Sequence, residues 1–282
     1  MKKALITGSN GFIGKHLSKT LEAQGIEVVK FNLENNQDVS RVNDFTKLPQ
    51  VDTVFHLAAV SGYRSSNENT SLAYKVNVLG MVNVLEYCKR VKAKLIFPST
   101  YVYDQPYTDY KKETDPIRPT THYSFTKFLG EELCRFYSRV FKVKTLVLRT
   151  SNVYGTGQDK IYIVPMIVKY LLNNQELQLT KPGVERSYIY VEDLVKVSIK
   201  LAQAETEPGE IYHVAYPRST TLADLIKLIE KISGKKLKVT YTGKSRPHDI
   251  DKNRFDISKV KQRINWQPKI KLEEGLRELL KS

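Results

Sequence analysis

A phenol and an ammonium stand four residues apart in Tyr123-Ser124-Phe125-Thr126-Lys127. On a helix both project from one face. Free tyrosine ionises near ~10 and is a poor base at neutral pH, but a cation held beside it stabilises the phenolate. Such a tyrosine can take a proton from an alcohol while hydride leaves the same carbon, or return one to a carbonyl. The pair is also common by chance on exposed helices, so it gains meaning only from its position and an upstream partner. Ser99 supplies the partner, in Phe97-Pro98-Ser99-Thr100-Tyr101-Val102-Tyr103 after a short apolar run. A hydroxyl at the carboxyl end of a strand can hydrogen-bond a reacting oxygen. The plainer alternative is a serine that caps a turn.

Hydride chemistry needs a carrier, and the first residues offer a seat for one. Gly8-Ser9-Asn10-Gly11-Phe12-Ile13-Gly14 follows the apolar run 3–7 and opens a segment whose Ile13, Leu17 and Leu21 repeat every four residues. Glycines three apart allow a sharp turn, close approach of a diphosphate to backbone, and tight packing of helix on strand.

Apolar runs and helical periodicities alternate through the first half. Strands are expected at 3–7, 26–32, 53–57, 94–97 and 143–148, with helices from about 13, at 72–91 and at 123–140 between them. Strands apolar on both faces imply an α/β, Rossmann-type, doubly wound parallel sheet. Beyond Arg149 the regularity fades, leaving helices at 164–172, 192–204 and from a Thr221–Asp224 capping box to about 232. The expected division is a dinucleotide-binding domain from 1–153 plus about 183–210, with a smaller α/β substrate domain from about 154–182 plus 211–282. A site in the cleft between them follows from that division.

Composition narrows the class. The chain has 282 residues, 41% apolar and 27% charged, ordinary values for a folded globular protein. No apolar run approaches the roughly 20 residues of a membrane helix, and the first apolar stretch is too short for a signal-peptide core, so a cytoplasmic location is expected. Cys88 and Cys134 read as small apolar packing residues rather than a disulfide or metal site. The net charge of +15 invites a nucleic-acid partner. Residues 219–282 hold 16 basic and 8 acidic groups, but the bases are spread singly without interleaved aromatics. No nucleic-acid or membrane partner is expected; a basic surface that attracts a polyanionic small molecule is.

The glycine spacing G-x-x-G-x-x-G, with the motifs above, resembles the extended short-chain dehydrogenases/reductases, the nucleotide-sugar epimerase and dehydratase group, over essentially the whole chain. His56-Leu57-Ala58-Ala59 is similar to that family's H-x-A-[AG] segment beside the cofactor. Asn77 matches its helix-four asparagine, and Asp38-Val39 its Asp-aliphatic pair at the adenine. The resemblance implies cofactor contacts from Gly8, Asn10, Gly11, Phe12, Ile13, Gly14, Asn32, Asp38, Val39, Leu57, Ala58, Ala59, Tyr123 and Lys127, and no metal. It makes Ser99, Tyr123 and Lys127 the catalytic set. Asn32 stands where NAD users of the family carry Asp; Lys30 and Arg41 are near, while Glu34 opposes a 2′-phosphate. NAD is expected, with NADP open.

On the substrate side, Arg149-Thr150-Ser151-Asn152-Val153-Tyr154-Gly155 is similar to R-x-x-N-x-[YF]-G. Arg186 matches the family's diphosphate-gripping arginine, Arg246 in Arg246-Pro247-His248-Asp249 looks like a second, and Ser61 joins Asn152 as a sugar-side contact. Two guanidinium forks suit bidentate phosphate contact. His248 reads as solvated and Trp266 as packing. After Ser99 stand Thr100 and Tyr101 rather than the dehydratases' Asp-Glu, so dehydration is not expected. The resemblance implies hydride transfer at C4 of a nucleotide-diphosphate sugar by an enzyme that is a 4-epimerase or, alternatively, an NAD(P)H-dependent 4-keto reductase. A non-catalytic dinucleotide-binding protein and a reductase or lyase of a non-sugar carbonyl compound remain behind these. A homodimer is expected through the helices bearing Asn77 and Tyr123, where Val78, Val82, Leu129 and Leu133 lie.

Overall fold

The computed structural model describes residues 1–103, 110–244 and 252–281. In chain order the elements are β1 (Lys3–Thr7), α1 (Phe12–Ala23), β2 (Glu27–Phe31), β3 (Thr53–His56), α2 (Tyr63–Glu68), α3 (Thr70–Tyr74), α4 (Gly80–Val91), β4 (Lys94–Thr100), α5 (His122–Phe141) and β5 (Thr145–Thr150). They continue with β6 (Asn152–Tyr154), α6 (Ile163–Leu172), β7 (Leu177–Leu179), β8 (Glu185–Tyr190), α7 (Val191–Gln203), β9 (Glu210–Val214), β10 (Ser219–Thr221), α8 (Leu222–Ser233), β11 (Val239–Tyr241), α9 (Ser258–Ile264) and α10 (Leu272–Lys281).

Six strands form the main sheet in the order β2-β1-β3-β4-β5-β9, and the first five pair in parallel. From β1 the chain moves outward to β2 and then crosses back to β3 on the other side of β1. The carboxyl ends of β1 and β3 therefore flank the switch point where such sheets bind ligands. The strands are apolar on both faces: Leu5, Phe31, Val54, Leu95, Phe97 and Val147 are buried in one cluster with Met81, Val84 and Leu85 from α4, and Ala4, Ile6, Phe55, Ile96, Leu146 and Leu148 are buried on the other face. Burial also accounts for the two thiols, Cys88 and Cys134, which are free and lie in this core.

The expected helix 72–91 is broken. After α3 the chain makes a π-turn over Lys75–Leu79 before α4 begins. The wider turn carries Asn77 inward, where its Oδ1 accepts from Val60 N at 2.8 Å and its Nδ2 donates to Val60 O at 3.0 Å and Thr126 Oγ1 at 2.9 Å. A polar clamp inside the helix is satisfied at the cost of one regular turn.

Contacts divide the described residues into two units. The first holds 1–103, 116–150 and 195–212; the second holds 110–115, 151–194, 213–244 and 252–281. Residues 183–194 thus group with the second unit, whereas the sequence reading put them with the first. The second unit carries a three-stranded sheet, β10-β8-β6, and a two-stranded one, β11-β7. Its packing is close: a Cβ on Gly275 of α10 would meet the Tyr154 hydroxyl at 2.2 Å. Among the described residues no helix is long and apolar enough to cross a membrane.

Candidate active site

The glycine turn is built for close approach. Gly8 has φ +69°, and a Cβ there would meet Ala58 N at 2.8 Å, at the carboxyl end of β3. A Cβ on Gly14 would meet Gly8 O at 2.3 Å, so only glycine lets α1 start this near the turn. Gly11 caps α1 without a side-chain hydrogen bond, and the first turn, which includes Phe12 and Ile13, carries no acidic residue. Its N–H groups are what a diphosphate needs. The cradle that added Cβ atoms would fill fits a dinucleotide. The floor is fixed by Thr7, whose Oγ1 pairs with His56 Nδ1 at 2.8 Å and accepts from Ala58 N at 3.3 Å. Burial holds His56 neutral, its pKa lowered to about 3. Leu57, Ala58 and Ala59 follow it half-buried, and Ser61 is exposed just beyond the Val60 that Asn77 clamps.

At the end of β2, Asn32 is buried. Its Nδ2 donates to Ser9 Oγ at 2.9 Å and its Oδ1 accepts from Asn35 N at 3.0 Å, capping a 3-10 turn over Leu33–Asn35. Asn10 Nδ2 donates to Glu34, which brings a carboxylate to the rim of the glycine turn. Neither nearby base is a ready phosphate ligand: Lys30 pairs with Glu22 at 2.8 Å and Arg41 with Asp44 at 2.8 Å. Asp38 accepts from Ser40 N and Oγ, both at 2.8 Å, and lies below the usual carboxylate range despite the opposing effect of burial. Val39 is buried against Gly80, where a Cβ would come within 2.7 Å of its Cγ2.

α5 carries Tyr123 and Lys127. Thr121 and Ser124 close a reciprocal capping box, so the helix starts where Tyr123 must sit. Lys127 is buried, donates to Pro98 O at 2.8 Å and lies 4.5 Å from the centroid of the Phe97 ring. Burial lowers its pKa to about 8, partly offset by Glu131. It is mostly a cation at neutral pH, as the phenolate role requires.

Ser99 has a different neighbourhood. Its Oγ donates to Glu131 Oε1 at 2.6 Å and lies 3.0 Å from the Tyr103 hydroxyl, which donates to the same oxygen at 2.9 Å. Arg149 completes the cluster, with Nη2 donating to Glu131 Oε2 at 2.8 Å and Nε 3.2 Å from both oxygens. Both ion-pair partners are buried, at 3% and 0% side-chain exposure. Burial and Glu131 push the Tyr103 phenol far up, so it stays a donor. Glu131 was not singled out from sequence; the signal was its place four residues after Lys127, continuing the face of Tyr123 and Lys127.

In the second unit, Asn152 opens β6 opposite Tyr188 of β8, and Arg186 precedes Tyr188 by two. Alternation therefore places Asn152 and Arg186 on one face of the small sheet, with Tyr154, Tyr188 and Tyr190. Arg186 Nη1 donates to Glu185 O at 2.9 Å. Asp193 is structural, accepting from Lys269 N and Ile270 N ahead of α10 at 2.9 and 2.8 Å. Trp266 is buried. Arg246 and His248 lie outside the described residues.

Known proteins share this architecture throughout. A putative UDP-glucose 4-epimerase of Methanocaldococcus jannaschii is 27% identical, covering 98% of this chain and 96% of its own. UDP-glucuronic acid decarboxylase 3 of Arabidopsis thaliana is 30% identical over 97% of this chain and 86% of its own. The crystal structure of a Thermus thermophilus UDP-glucose 4-epimerase in complex with NAD superposes with a TM-score of 0.90 at 27% identity, covering 99% and 98% of the two chains. With the family model for the NAD dependent epimerase/dehydratase family matching residues 4–215, the glycine turn, the Tyr123–Lys127 helix and the sheet that carries them make this chain a member of that family.

Proposed function

We propose that the protein is an NAD-dependent 4-epimerase of a UDP-sugar. The observation that carries this reading is Lys127, a buried cation fixed on Pro98 O one helical turn after Tyr123, in the same unit as the glycine turn. The relatives' UDP-sugar activities supply the substrate class. Residues 8–14, Asn32 and the loop at Ala58 would hold NAD, and Glu34 favours it over NADP by opposing a 2′-phosphate. Bound there, NAD supplies the hydride acceptance at C4 and the return of hydride to the other face of the sugar. Tyr123 takes the C4 hydroxyl proton as the alcohol is oxidised and returns it as the ketone is reduced; Lys127 stabilises the phenolate between the two steps. Asn152 and Arg186 meet the nucleotide sugar, Arg186 through its diphosphate.

The assembly we propose is a homodimer through α4 and α5. Phe125, Phe136 and Val140 are exposed along one stripe of α5, with Phe128 and Leu129 half-buried beside them, and Val78 and Val82 are half-exposed on the adjoining turn and helix. Two free thiols in the core suit a reducing cytoplasm.

Denaturing fresh protein and identifying the released dinucleotide by mass spectrometry is the first test, followed by NMR of UDP-glucose, UDP-N-acetylglucosamine and UDP-glucuronic acid incubated with it. Retained NAD and a 4-epimer without net cofactor consumption are expected. Loss of carbon dioxide from UDP-glucuronic acid would point to the chemistry of the Arabidopsis relative, since a C4 ketone is β to that carboxylate. NADPH consumption on a 4-keto sugar would overturn the epimerase.

A further inference from the structure

Two lysines stand where the backbone favours glycine. The left-handed conformation that ends a helix is taken by Gly234 after α8 and by Asn265 after α9, residues that tolerate a positive φ. α4 and α5 end instead on Lys92 at φ +59° and Lys142 at φ +58°, while every other described residue with positive φ is glycine or asparagine. A Cβ strains the backbone there. Each lysine caps its helix through its backbone alone, Lys92 N–H to Cys88 O and Lys142 N–H to Tyr137 O, bonds that glycine makes equally well. What lysine adds is a cation, and strain kept at such a position points to a use for it.

The two caps lie side by side. α4 and α5 meet where the Tyr137 hydroxyl donates to Glu86 Oε1 at 2.7 Å and Lys89 Nζ sits 4.1 Å from the centroid of the Phe141 ring. Each cap leads directly into a strand, β4 from Lys94 and β5 from Thr145, with Leu95 opposite Thr145. Both lysines therefore stand at the amino edge of the main sheet, away from the glycine turn and Tyr123 at its carboxyl edge. Arg139 and Lys144 join them: Lys142 Nζ donates to Arg139 O at 3.0 Å, and Lys144 O accepts from Leu95 N at 2.8 Å. These four cations are exposed and have no ion-pair partner among the described residues. Lys94, by contrast, is engaged with the carbonyls of Leu201, Ala202 and Ala204 at the end of α7. Phe141, 40% exposed, lies with the four.

Like charges gathered without partners repel one another, and an anionic partner relieves that. The ring decides which. A single-stranded nucleic acid would stack bases on it, but Lys89 already covers one face of Phe141, and Phe136 and Tyr137 pack against it at 5.7 and 5.1 Å between centroids. A lipid surface asks for no free ring face: cations meet headgroup phosphates while an exposed apolar side chain enters the acyl boundary.

We propose that the amino edge of the first unit, through Lys92, Arg139, Phe141, Lys142 and Lys144, docks on an anionic phospholipid surface. Composition gives no expectation of a membrane partner, because this patch is assembled from the ends of two separate helices. The contact is peripheral and independent of the reaction assigned above. It leaves the glycine turn and Tyr123 on the edge that faces water, and Phe136 and Val140 to the dimer stripe.

Sedimentation of the full-length protein with phosphatidylcholine vesicles, with and without about 30 mol% phosphatidylglycerol, tests this. Binding about tenfold or more tighter to the anionic vesicles, lost between about 0.05 and 0.5 M NaCl, is expected. Each cation near such a surface is worth about fivefold in affinity, so Lys92→Gly with Lys142→Gly should weaken binding about 25-fold. NAD content should be unchanged and the melting temperature equal to or above that of wild type, since the strain goes with the side chains. Lys92→Asn with Lys142→Asn should lose the same binding without the added freedom that glycine gives the unfolded chain. Equal affinity for both kinds of vesicle, no binding to either at about 0.05 M NaCl, or wild-type binding by both variant pairs overturns the proposal. Tighter binding to single-stranded DNA or to polyglutamate than to the anionic vesicles overturns lipid as the occupant.

Discussion

Replacing Lys127 by methionine separates what the residue does for chemistry from what it does to stability. An ordinary lysine titrates at 10.5; burial brings Lys127 to about 8. At ~1.4 kcal/mol per pH unit, keeping the cation inside costs the fold about 3 kcal/mol at any pH well below 8. The sign follows from proton counting: between pH 8 and 10.5 the unfolded chain binds a proton that the folded chain has released, so stability rises with pH in that window. Methionine fills similar space and can touch the Phe97 ring through sulfur, but forfeits the bond to Pro98 O, worth about 1 kcal/mol. Lys127→Met should therefore be more stable than wild type by about 2 kcal/mol at pH 7, and the gap should close towards pH 10. Urea unfolding at pH 7, 8.5 and 10 measures it, and other titrating groups cancel in the comparison. The variant should also be inactive, and wild-type activity should fall above pH 8 as the cation is lost. A variant less stable at pH 7, or a gap constant from pH 7 to 10, would refute the reasoning.

Two further outcomes follow from the packing. Gly14→Ala forces a Cβ to 2.3 Å from Gly8 O and should cost about 2 kcal/mol or more together with release of NAD, whereas Gly25→Ala, at φ +73° with nothing within 4 Å, should cost about 1 kcal/mol and keep the cofactor; melting curves and released-dinucleotide analysis on both distinguish a cradle from a mere turn. Glu131→Leu strands the Arg149 cation and should cost about 3–5 kcal/mol, while Glu131→Leu with Arg149→Leu should cost less than the single change; additive losses in a double-mutant cycle by urea unfolding would show that the two side chains are not coupled.

Periodicity and punctuation made the main sheet legible. The run 3–7 is β1, and the apolar spacing at 123–140 lies within α5. Misses occur where polar side chains are consumed inside the fold. β4 extends three residues past the expected end at 97 because Ser99 and Thr100, expected just beyond the strand, continue the ladder opposite Arg149 and Thr150. The break around Asn77 is likewise the work of one amide finding the Val60 backbone. Asn152, which lies beyond the fifth strand expected at 143–148, begins β6, since three-residue strands such as β6, β7, β10 and β11 are too short to show alternation. Of the candidate site, the glycine turn and Tyr123–Lys127 could be read from spacing, because their chemistry depends on it. The Glu131–Arg149 pairing could not: spacing marks Glu131 as sharing the face of Tyr123 and Lys127, but charged residues in helices and strands are usually exposed, and nothing local marks Arg149 as its partner.

That pair poses a question of purpose. Buried ion pairs seldom stabilise more than apolar residues of the same volume, so stability does not account for a carboxylate placed at the centre of the first unit. Its location does. Glu131 lies one turn beyond Lys127, and its charge is the largest influence raising the pKa of that lysine against burial. Without a neighbouring anion, the buried lysine would release its proton nearer neutrality and the phenolate of Tyr123 would lose its counter-charge. A bare carboxylate so close would instead pair with Lys127 directly and draw it from Pro98 O. Arg149, Tyr103 and Ser99 prevent this by occupying both Glu131 oxygens. The cluster thus holds an anion near enough to keep Lys127 charged and too fully bonded to capture it, and the serine at the strand end is part of that bonding.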